Sequence, residues 1–405
     1  MKSGEKMRKI LIVMHDMGSG GAQKSLLSWL SEMENFLDKY EINLLLMKKE
    51  GLFLSQIPQY VKFVQLPREL ICMHNSILSR TFWKACNKRM LVTKLKWIFR
   101  QSKNKKADLG RKHQLWWDTW RNIIPESEIN YDVALSYLNG YTNYYVIDKV
   151  NADKKILWIH NDYTKLGQNV DFDRVYYSQA NQIVTISDTC AESFTMAFPD
   201  LKEKVRVIEN ISSRSLIWNM AKIDGKPDEY KNIQTSIILS IGRLAPQKSF
   251  DLALEAAKIL KDSGYEFKWF IIGKGPLLKK LLGQRKKLGL ADYVEFLGER
   301  ANPYTYMHYS DIFVQTSKFE GKSIVLDEAK ILCKPILVTN YTTVTDSIKN
   351  NVQGLIVEID SIKIADGIKK LLDNRELRLK LTENLSGERF DNTYELKKYL
   401  EILGE

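Results

Sequence analysis

Short apolar runs alternate with helix-length amphipathic segments along almost the whole chain, and this leaves few folds open to it. In the first half RKILIVMH, EINLLLM, YDVALSYL, KKILWIH, NQIVTIS and KVRVIE read as strands; in the second half SIILSIG, FKWFIIG, VEFLG, DIFVQTS, PILVTN and LIVEI do so. Segments such as QKSLLSWLSEMENFLDKY and DTCAESFTMAF fill the gaps as helices. After Ser249, Leu252, Ala256, Ile259 and Leu260 form an i, i+4, i+7, i+8 face that Gly264 terminates. Strand–helix alternation predicts parallel sheets with helices on both faces. A chain of 405 residues is long enough for two such domains. The polar stretch ISSRSLIWNMAKIDGKPDEYKNIQTS, with Gly225 and Pro227, is the expected hinge. The expected organisation is a first domain over 1–212, a linker over 213–234, a second domain over 235–380 and a helical segment over 381–405.

Two glutamates with seven residues between them, Glu320 and Glu328, lie in SKFEGKSIVLDEAK where the strand DIFVQTS passes into a helix. The carboxyl end of a parallel strand faces an open crevice, and the following helix presents free N–H groups there. A carboxylate in that loop suits sugar hydroxyls, and one in the first helical turns, about 7 Å further along the axis, suits a ribose diol. The simpler alternative is an acid-rich helix start favoured by the dipole. The run GRLAPQKSFDLALEAAKIL sets Arg243 and Lys248 in the preceding strand-to-helix connection. A guanidinium fork and a compact ammonium together match a diphosphate; taken singly, each is an ordinary surface cation.

GRLAPQKSFDLALEA, IIGKGPLLKKL, VEFLG and FEGKSIVLDEAKILCKPILVTN follow one another in the order and spacing of the retaining GT-B glycosyltransferases of group 1, or family 4, and over 235–360 the chain resembles that family closely. Toward the amino end, MGSGGAQKSLL and WIHND are similar to its first-domain signatures. The resemblance implies an α/β GT-B fold, two Rossmann-like doubly wound domains facing a central cleft, with the last helical segment packed on the first domain. It implies a metal-independent hexosyl transfer from a nucleotide-diphosphate sugar, a UDP-sugar first among them, without a further cofactor. Arg243 and Lys248 then bind the donor diphosphate, Glu320 the donor sugar and Glu328 the ribose. The donor contacts extend to Gly273, Lys274 and Gly275 and to Gly321, Lys322, Ser323 and Ile324. Gly20 and Gly21 let backbone approach the donor, and His160 lies over its sugar. With Arg243, Lys248 and Glu320, His160 makes up the expected catalytic set. Lys322 and Ser323 stand where many relatives have an aromatic or aliphatic residue and then Gly or Pro, and Asp327 precedes Glu328, so the donor's identity is left open.

Several neighbouring signals point elsewhere and fail on chemistry. GSGGAQKS nearly reads as a P-loop, but Gln23 occupies the position of its second glycine, and the same residue breaks the dinucleotide fingerprint. The Asp171-Phe172-Asp173 triplet resembles the metal-binding acids of the other glycosyltransferase fold, yet it precedes a helical stretch without a second signature of that fold, and no metal is expected. Four scattered cysteines, Cys72, Cys86, Cys190 and Cys333, form no zinc or disulfide pattern. His15 and Asp16 end the first strand as weaker candidates; His74, His113 and His308 carry no functional signal.

Charge is concentrated. Residues 80–112 hold twelve Lys and Arg against one acid, Asp108, a net +11 out of +12 for the chain. On a helix over 88–103, Leu91, Val92, Leu95, Ile98 and Phe99 fall on one side, and Arg89, Lys96, Arg100 and Lys103 within about 60° on another. An anionic membrane surface fits this segment, an insertion over about 78–120; the alternative is an apolar face packed on the first domain with solvated cations. No nucleic-acid motif accompanies it, and nucleic acid is not an expected partner. No apolar stretch reaches the roughly 18 residues of a spanning helix, and the amino terminus passes directly into a strand, so a cytoplasmic protein, peripheral on the inner face of the membrane, is expected.

The expected function is sugar transfer to a lipid-linked glycan in cell-surface polysaccharide assembly, such as a capsule. Two alternatives are a nucleotide-sugar epimerase of the same fold and an inactive, membrane-docked partner of another transferase.

Overall fold

The computed structural model describes residues 7–18, 20–320 and 323–404. It divides the chain into two compact units, 1–211 with 393–405, and 212–392. The first contains seven strands, β1 (Arg8–Met14), β2 (Tyr40–Leu46), β3 (Lys62–Phe63), β4 (Asn130–Ser136), β5 (Asn151–Ile159), β6 (Gln182–Thr185) and β7 (Val205–Val207). All pair in parallel, in the order β3-β2-β1-β4-β5-β6-β7. The second contains β8 (Ser236–Ile241), β9 (Phe267–Ile272), β10 (Val294–Gly298), β11 (Ile312–Gln315), β12 (Ile336–Thr339) and β13 (Leu355–Val357). These are also parallel, in the order β10-β9-β8-β11-β12-β13. In each sheet the chain winds outward from a central strand and then crosses to its other side. The order therefore reverses between β1 and β4 in one unit and between β8 and β11 in the other.

Helices cover both faces of the second sheet, and the strand residues show why. Ile238, Trp269, Ile271, Val314 and Leu337 enter one apolar core with the helices Phe250–Asp262 and Ser361–Asp373. Their neighbours Ile237, Leu239, Phe270, Phe313 and Ile336 enter another. Successive side chains of a strand point to opposite faces, so continuous apolar runs bury both.

The stretch read as a hinge is folded. Ser213 caps the helix Arg214–Ile223 by accepting from the Leu216 amide, and Ile217 and Ala221 are buried one turn apart. The indole of Trp218 donates to the Ile331 carbonyl at 3.1 Å. Its apolar stripe is too narrow to stand out among polar neighbours, yet it closes one core of the second unit. At the carboxyl end, helix Arg375–Ser386 belongs to the second unit and helix Leu396–Leu403 to the first. There the Tyr399 ring packs on Trp29 and Trp158, and its hydroxyl donates to the Glu209 carbonyl at 3.1 Å.

Between β3 and β4 the basic insertion forms the helices Arg80–Ala85, Lys88–Lys103 and Leu109–Trp120. Met90, Lys94 and Trp97 make the buried face of the central helix. Val92, Leu95, Ile98 and Phe99 are exposed, by 59%, 52%, 40% and 61%; of the apolar arc Leu91 packs, partly buried, against the core of the first unit. The Lys94 ammonium reaches the Cys72 and Met73 carbonyls at 3.3 and 3.0 Å, and Arg100 pairs with Asp118 at 2.7 Å.

Candidate active site

Three strand-to-helix loops converge at the carboxyl ends of β8, β9 and β11, around the point where strand order reverses. Such a point opens a crevice, because the loops on its two sides run in opposite directions. The loop after β8 supplies Lys248, whose Nζ meets Glu320 Oε1 from the loop after β11 at 2.6 Å. The two side chains are only 16% and 10% exposed. Glu320 is further held by Ser317 Oγ at 2.6 Å and Gln247 Nε2 at 3.1 Å. A carboxylate has about four acceptor positions; these three donors fix its orientation and leave room for one more.

Arg243 is exposed on the same loop and makes no ion pair among the described residues. The loop after β9 packs directly against it. A Cβ on Gly273, at φ +144°, would lie 2.0 Å from the Gly242 carbonyl oxygen, and one on Gly275 would lie 2.3 Å from that of Leu244. Glycine is required for this backbone-on-backbone contact. Lys274 between them pairs with Glu299 at 2.6 Å.

Helix Ile324–Ile331 starts at Ser323, whose hydroxyl donates to Gln315 Oε1 at 2.9 Å instead of capping the helix. No side chain caps helix Phe250–Asp262 either, since the Ser249 hydroxyl bonds the Pro246 carbonyl. By contrast, Asp360 caps helix Ser361–Asp373 through two amides. Uncapped N-termini present N–H groups and a partial positive charge to an anion. Glu328, one helical turn beyond Ile324, is 1% exposed and accepts from the Tyr304 hydroxyl at 2.9 Å. Burial, then the carboxylate beside it, holds that phenol well above its ordinary range and so protonated. Gly321 and Lys322 lie outside the described residues.

Gly20, Gly21 and His160 belong to the first unit and are not brought together with the donor set within one unit. Gly20 is the uncapped N-cap of helix Gly21–Met33. The loop before it is held by Asp16, which accepts from the Gly18 amide at 2.8 Å and from His15 Nδ1 at 2.6 Å. The His15 contact, ahead of opposing desolvation, holds the Asp16 carboxyl down at about 2. Sequence reasoning missed Gly51, at φ +122°, whose missing side chain lets it lie against the Met17 and Gly18 backbone. His160 follows β5, and its Nε2 bonds the Tyr137 carbonyl at 2.8 Å. Nε2 must therefore carry the proton, which leaves the Nδ1 lone pair as acceptor. Burial pushes this imidazole down to about 4, against the Tyr137 contact.

Asp173 has a different role. It is fully buried and accepts from Tyr144, Tyr163 and Gln114 at 2.5, 2.7 and 2.7 Å, so it ties helix Val170–Tyr177 to the helices Leu109–Trp120 and Tyr141–Lys149.

The family described as Glycosyl transferases group 1 matches residues 224–386, the span that holds every donor residue named above in the second unit. Over that span the chain matches the group 1 glycosyltransferases. Along its length the glycosyltransferase is similar to an N-acetylgalactosamine-N,N'-diacetylbacillosaminyl-diphospho-undecaprenol 4-alpha-N-acetylgalactosaminyltransferase of Campylobacter jejuni, 25% identical over 92% of each chain. It is 26% identical to the capsular polysaccharide biosynthesis glycosyltransferase CapM of Staphylococcus aureus over 51% of this chain and 56% of that one. Among solved structures, Anabaena HepE in complex with UDP and glucose superposes with a TM-score of 0.63 at 17% identity, covering 98% of this chain and 99% of that one. Staphylococcus aureus TarM, in a complex with UDP, also gives 0.63, at 15% identity over 98% and 100%. The fold of this glycosyltransferase is GT-B.

Proposed function

We propose that this glycosyltransferase moves a sugar from a nucleoside-diphosphate sugar, a UDP-sugar first among them, to a lipid-linked glycan during assembly of a cell-surface polysaccharide, with retained anomeric configuration. The observation that carries the donor reading is the buried Lys248–Glu320 pair beside two uncapped helix N-termini at the β8/β11 reversal. Arg243, Lys248 and those N-termini neutralise the departing diphosphate. Preorganised charge of this kind strengthens as the site dries. Gly273, Lys274, Gly275, Ser323 and Ile324 line the approach of the nucleotide. Glu320 offers its remaining acceptor position to a donor-sugar hydroxyl, Glu328 accepts from the ribose diol, and the His160 Nδ1 lone pair accepts from the transferred sugar. Gly20 and Gly21 admit backbone near the donor. The acceptor hydroxyl attacks from the face the diphosphate leaves, giving its proton to the departing phosphate oxygen, and no metal ion is needed to carry the leaving charge. The relatives' names support the acceptor class: one acts on a diphospho-undecaprenol glycan and one in capsular polysaccharide biosynthesis.

The enzyme works peripherally on the cytoplasmic face of a membrane, docked through helix Lys88–Lys103. Among the described residues no helix is long and apolar enough to cross a membrane. At 100° per residue, exposed Ile98, Leu95, Phe99 and Val92 sweep an arc of about 120°, followed directly by Lys103, Lys96 and Arg89. Leu78 and Trp83, earlier in the same insertion, are also exposed. An apolar arc edged by cations matches the boundary between acyl chains and anionic headgroups.

A panel of UDP-, GDP-, ADP- and CMP-sugars, screened by thermal shift and by acceptor-dependent nucleotide release on wild type and Glu328→Ala, tests the reading. One nucleotide is expected to stabilise the wild type selectively and the variant much less. Silence across the panel would overturn the donor assignment.

A further inference from the structure

At the carboxyl ends of β1 and β4, where strand order reverses in the first sheet, three histidines gather around one tyrosine. His15 follows β1, His74 ends the helix Arg68–His74, His113 lies in helix Leu109–Trp120, and Tyr141 opens the helix after β4. Ring centroids stand 5.6, 5.4 and 5.3 Å from that of Tyr141 for His15, His74 and His113, and 5.1 Å for Trp116. The Tyr141 hydroxyl, both ring nitrogens of His74 and the Trp116 indole nitrogen are all shielded from solvent. None has a hydrogen-bond partner among the described residues. Tyr141 itself is 2% exposed. Buried polar groups are rarely left unpaired, because each costs its full desolvation. A cluster of them at a topological switch point is where a parallel sheet takes a ligand.

The chemistry of the cluster selects that ligand. Burial pushes His74 down to about 3 and His113 to about 4, so both imidazoles are neutral and each offers one N–H and one lone pair. The Asp16 carboxylate, bound to His15, contributes the nearby negative charge. Neutral amphoteric groups beside a carboxylate repel a phosphate and match hydroxyls, which also donate and accept. The rings of Tyr141 and Trp116 supply apolar surface for the carbon face of a sugar. Trp116 in turn stacks on Trp97, 5.9 Å away, on the buried side of helix Lys88–Lys103. Leu95 and Phe99 are exposed on that helix's other side, so the cluster lies about one helix diameter, roughly 10 Å, from the proposed membrane contact.

We infer that Tyr141, His74 and Trp116 form a binding subsite for an uncharged sugar ring of the acceptor, the one nearest its lipid. The inference rests on the lipid-linked acceptor reading and assigns its recognition to residues outside the donor set.

Octyl glycosides of glucose, galactose, N-acetylglucosamine and N-acetylgalactosamine, with octyl phosphate as the anionic comparison, serve as probes in saturation-transfer NMR and calorimetry below their micellar concentrations. At least one glycoside is expected to bind the wild type, with the strongest transfer to its ring protons. Tyr141→Phe should weaken it at least fivefold without lowering Tm, since that hydroxyl has no partner among the described residues. His74→Gln, which keeps one donor and one acceptor, should bind more tightly than His74→Ala. Absence of glycoside binding, equal binding by wild type, Tyr141→Phe and His74→Ala, or preference for octyl phosphate would each overturn the subsite. UDP binding on the same samples separates the two readings: a wild type that binds UDP while the glycoside arm fails loses only the subsite, and one that ignores UDP loses the donor assignment.

Discussion

Lys248 Nζ and Glu320 Oε1 stand 2.6 Å apart on two different strand-to-helix loops, each side chain mostly buried. The pair joins the group expected at the diphosphate to the group expected at the sugar, so each positions the other before the donor arrives. Lys248→Ala leaves a buried carboxylate supported only by Ser317 and Gln247, and should cost about 3 kcal/mol of stability. It should also cut turnover at saturating donor by about 100-fold or more. Lys248→Ala combined with Glu320→Gln removes the orphaned charge, so the double variant should recover much of the stability and none of the rate. Urea denaturation beside initial rates checks this; parallel recovery of both would assign the pair a structural role alone.

Tyr304 donates to Glu328 Oε1 at 2.9 Å and so fixes the carboxylate expected to hold the ribose. Wild type should prefer UDP to 2′-deoxy-UDP by about tenfold, the worth of one charged hydrogen bond. Glu328→Ala should bring that ratio near one, and Tyr304→Phe should reduce it only partly. Calorimetric titration with the two nucleotides decides; an undiminished preference in Glu328→Ala would move the ribose contact elsewhere.

All strands but β3 were legible because continuous apolar runs such as SIILSIG can be buried on both faces only inside a parallel sheet; the two exposed residues of β3, Lys62 and Phe63, form no such run. Helix Lys88–Lys103 was legible in its span but not in its orientation. A helical wheel separates apolar from cationic arcs, yet only tertiary contacts show that Met90, Lys94 and Trp97 face inward. Lys94 is buried because its ammonium caps carbonyls at the end of another helix, which no local pattern encodes. Arg243, Lys248, Glu320 and Glu328 stood out through motif spacing. The mutual pairing of Lys248 and Glu320 did not, since it joins separate loops. His74 and His113 looked featureless for the same reason: their meeting at Tyr141 depends on helices that arrive from distant parts of the chain.

Burial of neutral imidazoles also sets an acid limit on the fold. His74 is pushed down to about 3, and His113 and His160 to about 4, whereas an unfolded histidine titrates near about 6.5. Below about pH 6.5 the unfolded chain binds protons that the folded chain refuses. Stability is therefore complete above that value and falls as pH drops toward 4, with a slope of at most about 4 kcal/mol per pH unit from the three groups. Urea midpoints from pH 8 to pH 5 should decline accordingly, and His74→Gln with His113→Gln should flatten the decline. An unchanged slope in the double variant would show that other groups govern acid sensitivity.

Membrane docking makes a prediction that separates it from simple charge attraction. Lys96 and Lys103 are exposed beside Val92, Leu95 and Phe99, and each cation near an anionic surface contributes about 1 kcal/mol. Lys96→Gln with Lys103→Gln should thus weaken sedimentation with phosphatidylglycerol vesicles by about 30-fold. It should have little effect on the weak binding to phosphatidylcholine. Val92→Ser, Leu95→Ser and Phe99→Ser together should weaken binding to both, because the loss is of apolar burial, about 25 cal/mol per Å². These three side chains already face outward, so the triple variant should fold as stably as the parent. Raising salt should weaken the parent on anionic vesicles more than the lysine variant, which keeps fewer cations near the surface, since screening acts only on the charge term. Vesicle binding indifferent to both sets of changes would remove this helix from the membrane contact.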